Sequence, residues 1–538
     1  MKPIRLVSGF LTVGLWTLLS RILGFARDMM IAAFLGTGPV AEAFLIAFAL
    51  PNMFRRFFAE GAFNMAFVPM FSKKLEAGED AEGFARDAFA GLAAVLIVFS
   101  VIALLAMPWL VLAMASGFAG DERFDLAVGF GRIAFPYILF ISLAALLSGV
   151  LNAAGRFTAA AAAPVLLNVL FITAMILATK AGWPVGDALA WTVPVAGLAQ
   201  LALVWLSAKR AGFNLKPRRP RMTPELKRLA LIAAPAAMAG GVVQINLLVG
   251  RQVASFYEGA VAWLSYADRL YQLPLGVVGI AVGVVLLPDL SRRLRAGDTE
   301  GGRNAFNRAA EISLALTIPA AVALCVIPLP LVSVLFQRGA FGPEDTAATA
   351  LAVAVYGLGL PGFVLQKALQ PLFFAREDTR RPFYFALASL VVNAGIAIGL
   401  MPTFGFIAAA IGTTVSGWAS VALLWFASRR MGVAATLDHR FRNRFWRILL
   451  ASGLMGGLLW VAALALAPFL DLPTLRYGAL AVLVSFAAVS LLPRLAMKAP
   501  SVIATQASSS VMLKGALFIA TNMMVDNSGA PKANTPSN

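Results

Sequence analysis

One cysteine and one histidine in 538 residues leave little for metal or redox chemistry. Cys325 alone makes no internal disulfide and no cysteine-clustered metal site. His439, in a basic loop, supplies neither a catalytic triad nor a two-histidine metal motif, so no metal site is assigned. Charge is scarce as well, at 13% of residues, and acidic charge scarcest: 26 Asp and Glu stand against 44 Lys and Arg. No Walker-type phosphate loop or dinucleotide fingerprint is present. The expectation is a protein without cofactor that hydrolyses no nucleotide, with an ion gradient or the membrane potential as its driving force.

What fills the chain is apolar. It is 60% hydrophobic, with mean hydropathy +0.83. Soluble domains run at about 45–50% apolar and about 25% charged, so this composition predicts a polytopic membrane protein. A net charge of +18 would suggest nucleic acid in a soluble protein. In a membrane protein it marks cytoplasmic loops, and no nucleic-acid partner is expected. Lys2 and Arg5 before an apolar run imitate a signal peptide, but the run from Leu6 to Leu35 is too long and carries Arg21 and Arg27. It reads as a first spanning helix. A span of ~29 residues reaches roughly 43 Å against a core of about 30 Å, which predicts tilt or a break.

Dividing the apolar runs at charged or Pro/Gly-rich stretches predicts fourteen spans, from 6–34 and 40–71 to 444–468 and 473–495. Loops and flanks on the N-terminal side of the membrane hold thirty Lys and Arg, and those on the other side hold four. That asymmetry predicts both termini in the cytoplasm. The richest loop, 209–228, carries eight basic residues and reads as a topology anchor touching anionic lipid, with substrate docking as the alternative. It separates an N-terminal six-helix lobe (1–208) from a C-terminal one (229–430). A cytoplasmic loop with helices thirteen and fourteen follows (431–498), then a disordered or surface-lying tail (499–538).

The two lobes read as repeats. Phe67-Val-Pro-Met-Phe-Ser-Lys-Lys-Leu-Glu-Ala-Gly78 resembles Leu286-Leu-Pro-Asp-Leu-Ser-Arg-Arg-Leu-Arg-Ala-Gly297, an offset of 219. Gly117-Phe118 matches Gly339-Ala-Phe341, and Pro164-Val-Leu-Leu-Asn168 resembles Ser389-Leu-Val-Val-Asn393, at offsets of 223 and 225. Six helices per unit make the repeats parallel, related by an axis along the membrane normal, with substrate bound between them. The predicted fold is therefore all-α, with two parallel six-helix repeats around a central cavity and two extra C-terminal helices.

Charges inside the spans say what the cavity holds. Beside Arg21, Arg27, Arg55, Arg56, Arg132, Arg251, Arg269 and Lys367, the acidic partners within spans are Asp28, Glu42, Glu60 and Asp268. A lone arginine at mid-bilayer costs roughly 2.5–3.5 kcal/mol on insertion scales. Arg132 and Arg251, near helix ends, are expected to snorkel outward. Arg56 and Glu60, four apart, suit an ion pair, and Asp268 suits a partner for Arg269. Arg21 and Asp28 share a helix face, and Arg27 points away from it, so the first helix should border a wet cavity with Arg21 and Asp28 as a gating pair. Pro51 is expected to kink the second span. Pro274, Gly276, Gly279 and Gly283 are expected to interrupt the eighth. The excess of guanidinium predicts an anionic substrate, a phosphate or diphosphate.

Three stretches carry a resemblance. Ser20-Arg-Ile-Leu-Gly-Phe-Ala-Arg-Asp28, Leu50-Pro-Asn-Met-Phe-Arg-Arg-Phe-Phe-Ala-Glu-Gly-Ala-Phe63 and Tyr266-Ala-Asp-Arg-Leu270 closely resemble the MurJ (MviN) family of lipid II flippases, of the multidrug/oligosaccharidyl-lipid/polysaccharide exporter superfamily. The resemblance runs from about residue 5 to about 495. It implies alternating-access export of the undecaprenyl-diphosphate-linked peptidoglycan precursor across the bacterial inner membrane, with cell-wall synthesis proteins as further partners. It also implies that Arg21, Arg27, Arg55 and Arg269 bind substrate and that Asp28, Glu42 and Glu60 are cavity acids. Glu42 stands where relatives often carry aspartate. Helices thirteen and fourteen would groove the lipid tail. A sodium site cannot be placed, and Asn246 and Asn393 are weak evidence for one.

A flippase for another polyprenyl-diphosphate glycan fits the same chemistry. A cation antiporter fits poorly, because a cation wants an acidic cavity. A membrane scaffold for cell-wall enzymes would leave precursor flipping intact when lost.

Overall fold

The computed structural model describes residues 6–55, 62–215, 218–470, 472 and 474–489. Among these the chain is helical throughout, without strands. The N-terminal half comprises α1 (Leu6–Leu35), α2 (Pro39–Arg55), α3 (Ala62–Glu76), α4 (Ala81–Leu105), α5 (Met107–Met114), α6 (Glu122–Ala134), α7 (Tyr137–Ala153), α8 (Thr158–Ala181) and α9 (Val185–Arg210). The C-terminal half comprises α10 (Pro224–Ser255), α11 (Ala260–Arg295), α12 (Thr299–Val326), α13 (Pro328–Phe336), α14 (Pro343–Phe374), α15 (Arg380–Phe404) and α16 (Ile407–Ser428). α17 (His439–Leu470) and α18 (Arg476–Val489) follow.

Nine helical stretches among the described residues are long and apolar enough to cross a membrane: α4, α6–α7, α8, α9, α12, α14, α15, α16 and the segment ending in α17. The protein is thus a multi-pass membrane protein. Its outer faces are apolar, with Leu105, Phe426 and Leu450 exposed, as expected where the surrounding solvent is hydrocarbon. Buried phenylalanines, among them Phe44, Phe67, Phe135 and Phe171, fill the interior of the N-terminal half. α17 docks on α12 through Phe441, Leu314 and Ile318. At the same place Glu311 is ringed by Arg308, Arg440 and Arg444.

Local geometry recurs at near-constant spacing. Asp80 caps α4 by accepting from the Gly83 N–H at 2.7 Å, and Asp298 caps α12 by accepting from Gly301 at 2.8 Å. Each cap satisfies an N–H that the first helical turn leaves without a partner. Where α1 ends, the halves meet backbone to backbone. The Ala340 N–H donates to the Ala33 carbonyl at 2.8 Å, and a Cβ on Gly339 (φ +58°) would lie 2.2 Å from that same oxygen. Reciprocally, the Gly117 N–H donates to Ser255 Oγ at 3.0 Å, and a Cβ on Gly117 would come within 2.5 Å of the Ser255 carbonyl. Gly339 and Ser255 each lie 222 positions beyond Gly117 and Ala33. One contact is therefore the mirror in sequence of the other.

One expectation of helix shape needs correction. α11 is not interrupted: it runs from Ala260 to Arg295 with Pro274 and Pro288 inside it. A proline removes one backbone bond and bends a helix, which neighbours can support without ending it. The basic connection after α9 packs beside α4: Arg218 pairs with Asp87 and donates to the Gly83 carbonyl at 2.7 Å, while Arg86 donates to the Asn214 carbonyl.

Candidate functional site

The centre of the site is Asp28 on α1. Arg27 donates to Asp28 Oδ1 through Nη2 at 2.7 Å and Nε at 3.0 Å. Arg269 of α11, from the other half, places Nε 2.8 Å from Asp28 Oδ2. Arg27 and Asp28 are buried, at 6% and 7% exposure. Arg269 lies deep within the protein, yet its side chain is 44% accessible, which makes it part of a cavity wall. Aromatic rings flank the Arg27 guanidinium, Phe171 at 5.5 Å and Phe48 at 5.8 Å, a favourable arrangement for a planar cation. Its remaining nitrogen, Nη1, donates to Asn168 Oδ1 of α8 at 3.1 Å.

Arg21 lies two turns earlier on α1 and is exposed. Its guanidinium leans on Gly276 of α11, where a Cβ would come within 2.2 Å of Nη1. Lys367 of α14, also exposed, is within its electrostatic reach. The expected pairing of Arg21 with Asp28 does not occur, because Asp28 is engaged by Arg27 and Arg269 instead. Seven helical residues rise about 10.5 Å, and both side chains lean toward the helix N-terminus, so sharing a face does not bring them together. Asp268 accepts from Gln272 and lies within electrostatic reach of Arg251, which is half-buried. Arg132 is exposed, as expected. Arg55 is half-buried at the last residue of α2. Arg56 and Glu60 lie outside the described residues.

Glu42 is not in this cavity. It is fully buried at the end of the bundle where the halves meet. One oxygen accepts from Arg123 Nη1 at 2.9 Å and the other from the Val261 N–H, across the boundary, at 2.9 Å. Arg123 is also held by Asp121 at 2.6 Å. A charge inside an apolar span suggested a wet cavity. Its alternative, a buried pair with full hydrogen bonding, needs Arg123, which sequence places in a loop. Nearby, Asp345 accepts from Thr37 and from Trp263 Nε1, and Tyr266 donates to the Gly36 carbonyl at 3.0 Å. Phe25, Tyr266, Phe336 and Phe341 stack beside these contacts at centroid distances of 5.5–6.0 Å. The end of the cavity beyond Asp28 is therefore sealed by polar ties and aromatic rings together.

Several residues of this network were not among the sequence-predicted site residues, among them Arg123, Asp345 and Asn168. Asn168 had surfaced only as a repeat match with Asn393. That match was the available signal, since a carboxamide inside an apolar repeat needs a partner.

The arrangement can hold an anion between two halves and shield it at one end. Comparison with known proteins identifies the family. The family described as lipid II flippase MurJ matches residues 31–487. A probable lipid II flippase MurJ from Rhizobium meliloti is 49% identical over 464 residues, covering 85% of this chain and 86% of that protein. A lipid II flippase MurJ from Burkholderia cenocepacia is 38% identical, covering 80% and 85%. Among solved structures, lipid II flippase MurJ in an inward closed conformation matches with TM-score 0.75 and 25% identity, over 89% of this chain and 97% of that one. An inward-facing MATE-family multidrug transporter of the MOP superfamily shares the fold at TM-score 0.65 and 16% identity, covering 78% and 96%. With a family match over most of its length and close relatives over more than four-fifths, this chain belongs to the lipid II flippase MurJ family.

Proposed function

We propose that this protein is a lipid II flippase, moving the undecaprenyl-diphosphate-linked peptidoglycan precursor from the cytoplasmic to the periplasmic leaflet of the bacterial inner membrane. The observation that carries this reading, beside family membership, is the sharing of Asp28 by Arg27 and Arg269. Guanidiniums from opposite halves already converge on one anionic group. A diphosphate offers the same acceptors with more charge, and planar forks match it bidentately. Binding between two bodies suits alternating access, because rocking one half against the other exposes a central site to each side in turn.

The reading extends to layout. Adding α1, α2 with α3, α10, α11 and α18 to the nine apolar stretches gives fourteen spans, with both termini cytoplasmic and the sealed end facing the periplasm. The reciprocal contacts at Gly117 and Gly339 support two parallel six-helix repeats, joined by the basic linker at 209–228. α17 and α18 then form a groove for the lipid tail, supported by the apolar cluster of Ile327, Leu459 and Leu483. Transport is secondary rather than enzymatic, driven by an ion gradient or the membrane potential. The test is transport of defined lipid II by the purified protein in vesicles, with and without imposed gradients. Wild type should move it, and Arg27→Ala and Arg269→Ala should not. Transport by those variants at the wild-type rate would overturn the site.

A further inference from the structure

We infer that Asn168 is a positioning residue that presents Arg27 to the diphosphate, an inference that rests on the flippase reading. The carboxamide joins two points of α1. Its Oδ1 accepts from Arg27 Nη1 at 3.1 Å, and its Nδ2 donates to the Ser20 carbonyl at 2.9 Å. The two partners fix which end is oxygen: a guanidinium can only donate and a carbonyl can only accept. Asn168 is 4% exposed and packs against Gly24, where even a Cβ would sit in ordinary contact at 3.4 Å from Nδ2. Phe171, one turn along α8, flanks the same guanidinium. One face of α8 thus fixes both the direction and the plane of Arg27. Asp28 occupies Nε and Nη2, and Asn168 takes Nη1. Held by a neutral acceptor there, the cation keeps its charge for an incoming anion.

The second half contains a natural control. Asn393 of α15 donates through Nδ2 to Asn246 Oδ1 at 2.8 Å and approaches the Asn246 carbonyl at 3.4 Å. Asn246 and Asn393 lie 226 and 225 positions beyond Ser20 and Asn168. The interhelical tie is the same, but Asn393 Oδ1 is buried with no hydrogen-bond partner among the described residues. Where the first half has Arg27, the second has no guanidinium on its carboxamide oxygen. One tie therefore only joins helices, and the other also aims a cation.

The experiment measures binding of undecaprenyl diphosphate, with undecaprenol as the uncharged probe, to the full-length protein in nanodiscs. Arg27→Ala, Asn168→Leu, Asn168→Asp and Asn393→Leu are compared. Asn168→Leu should weaken diphosphate binding about tenfold and leave undecaprenol unchanged. Asn168→Asp, which places a second carboxylate on Arg27, should weaken it further. Asn393→Leu loses the equivalent tie and should bind as wild type does. Equal losses in Asn168→Leu and Asn393→Leu would reduce Asn168 to a helix-packing role and overturn the inference, as would unchanged binding in Asn168→Leu while Arg27→Ala binds weakly. Unchanged binding in Arg27→Ala would instead remove the flippase site assignment itself. Thermal unfolding of each variant separates a folding defect from a binding one, and Asn168→Ser, keeping a short acceptor, should bind between Asn168→Leu and wild type.

Discussion

Asp28 holds Arg269 across the boundary between the halves at 2.8 Å, through the oxygen that Arg27 leaves free. The pair is both a strut and an internal competitor. While the carboxylate occupies the two guanidiniums, it screens them from any other anion; once a diphosphate arrives, it must yield or share.

The first prediction follows from that competition. Asp28→Asn keeps the shape and removes the charge. Affinity for undecaprenyl diphosphate should rise several-fold, and turnover should fall, because a substrate without a competitor leaves slowly. Equilibrium binding and single-turnover transport would report the two effects separately. Binding as weak as that of Arg27→Ala would show that Asp28 mainly orients the arginines.

Glu42 gives the second. Both of its oxygens are committed, to Arg123 and to the Val261 N–H, with no exposure to water. Removing one member of a buried pair strands the other, at a cost of about 3–5 kcal/mol. Arg123→Ala should therefore lower thermal stability in detergent sharply. The double replacement Glu42→Gln with Arg123→Met should recover most of the loss, because no buried charge is left stranded and Asp121, the other partner of Arg123, is exposed to water. A mild phenotype for Arg123→Ala would mean that water reaches Glu42.

The third concerns the sealed end. Gly339 has φ +58° and faces the Ala33 carbonyl, where a Cβ would lie at 2.2 Å. Both the left-handed backbone and the backbone neighbour oppose a side chain. Gly339→Ala should disfavour this closed end by about tenfold or more, since only separation of the halves relieves the clash. Spin labels at Glu122 and Glu344, on exposed starts of α6 and α14, should move apart. An unchanged distance distribution would place the accommodation inside one half.

How much of this was legible beforehand depended on charge. Arg27, Asp28 and Arg269 stood out because ionised groups inside apolar runs are costly enough to need a reason. Their meeting was foreseeable from the repeat, although the partner of Asp28 was not. Helical phase gives direction around an axis but not reach along it, and Arg21 lost the pairing on reach. Glu42 was misplaced for a related reason. Sequence marks a charge as intramembrane, but cannot say whether water or a folded-in loop arginine compensates it. Asn168 was nearly silent, since a neutral carboxamide alters hydropathy little, and only its echo at Asn393 marked it. Pro274 looked like a break because its helix-ending tendency is local, whereas support from neighbouring helices is not.

The order in which α1 is satisfied has a consequence for biosynthesis. This helix leaves the ribosome well ahead of its partners: Asn168 lies 141 residues downstream of Arg27, and Arg269 lies 241 residues beyond Asp28. At about 5–20 residues per second, the second wait alone lasts roughly 10–50 s. Through that interval the nascent protein carries a polar helix whose final counter-ion has not been made. Asp28 beside Arg27 neutralises one charge from the outset, which makes the wait tolerable. A chain lacking that adjacent acid would present two bare arginines to the insertion machinery, and its earliest defect would be the orientation of its first helix rather than transport.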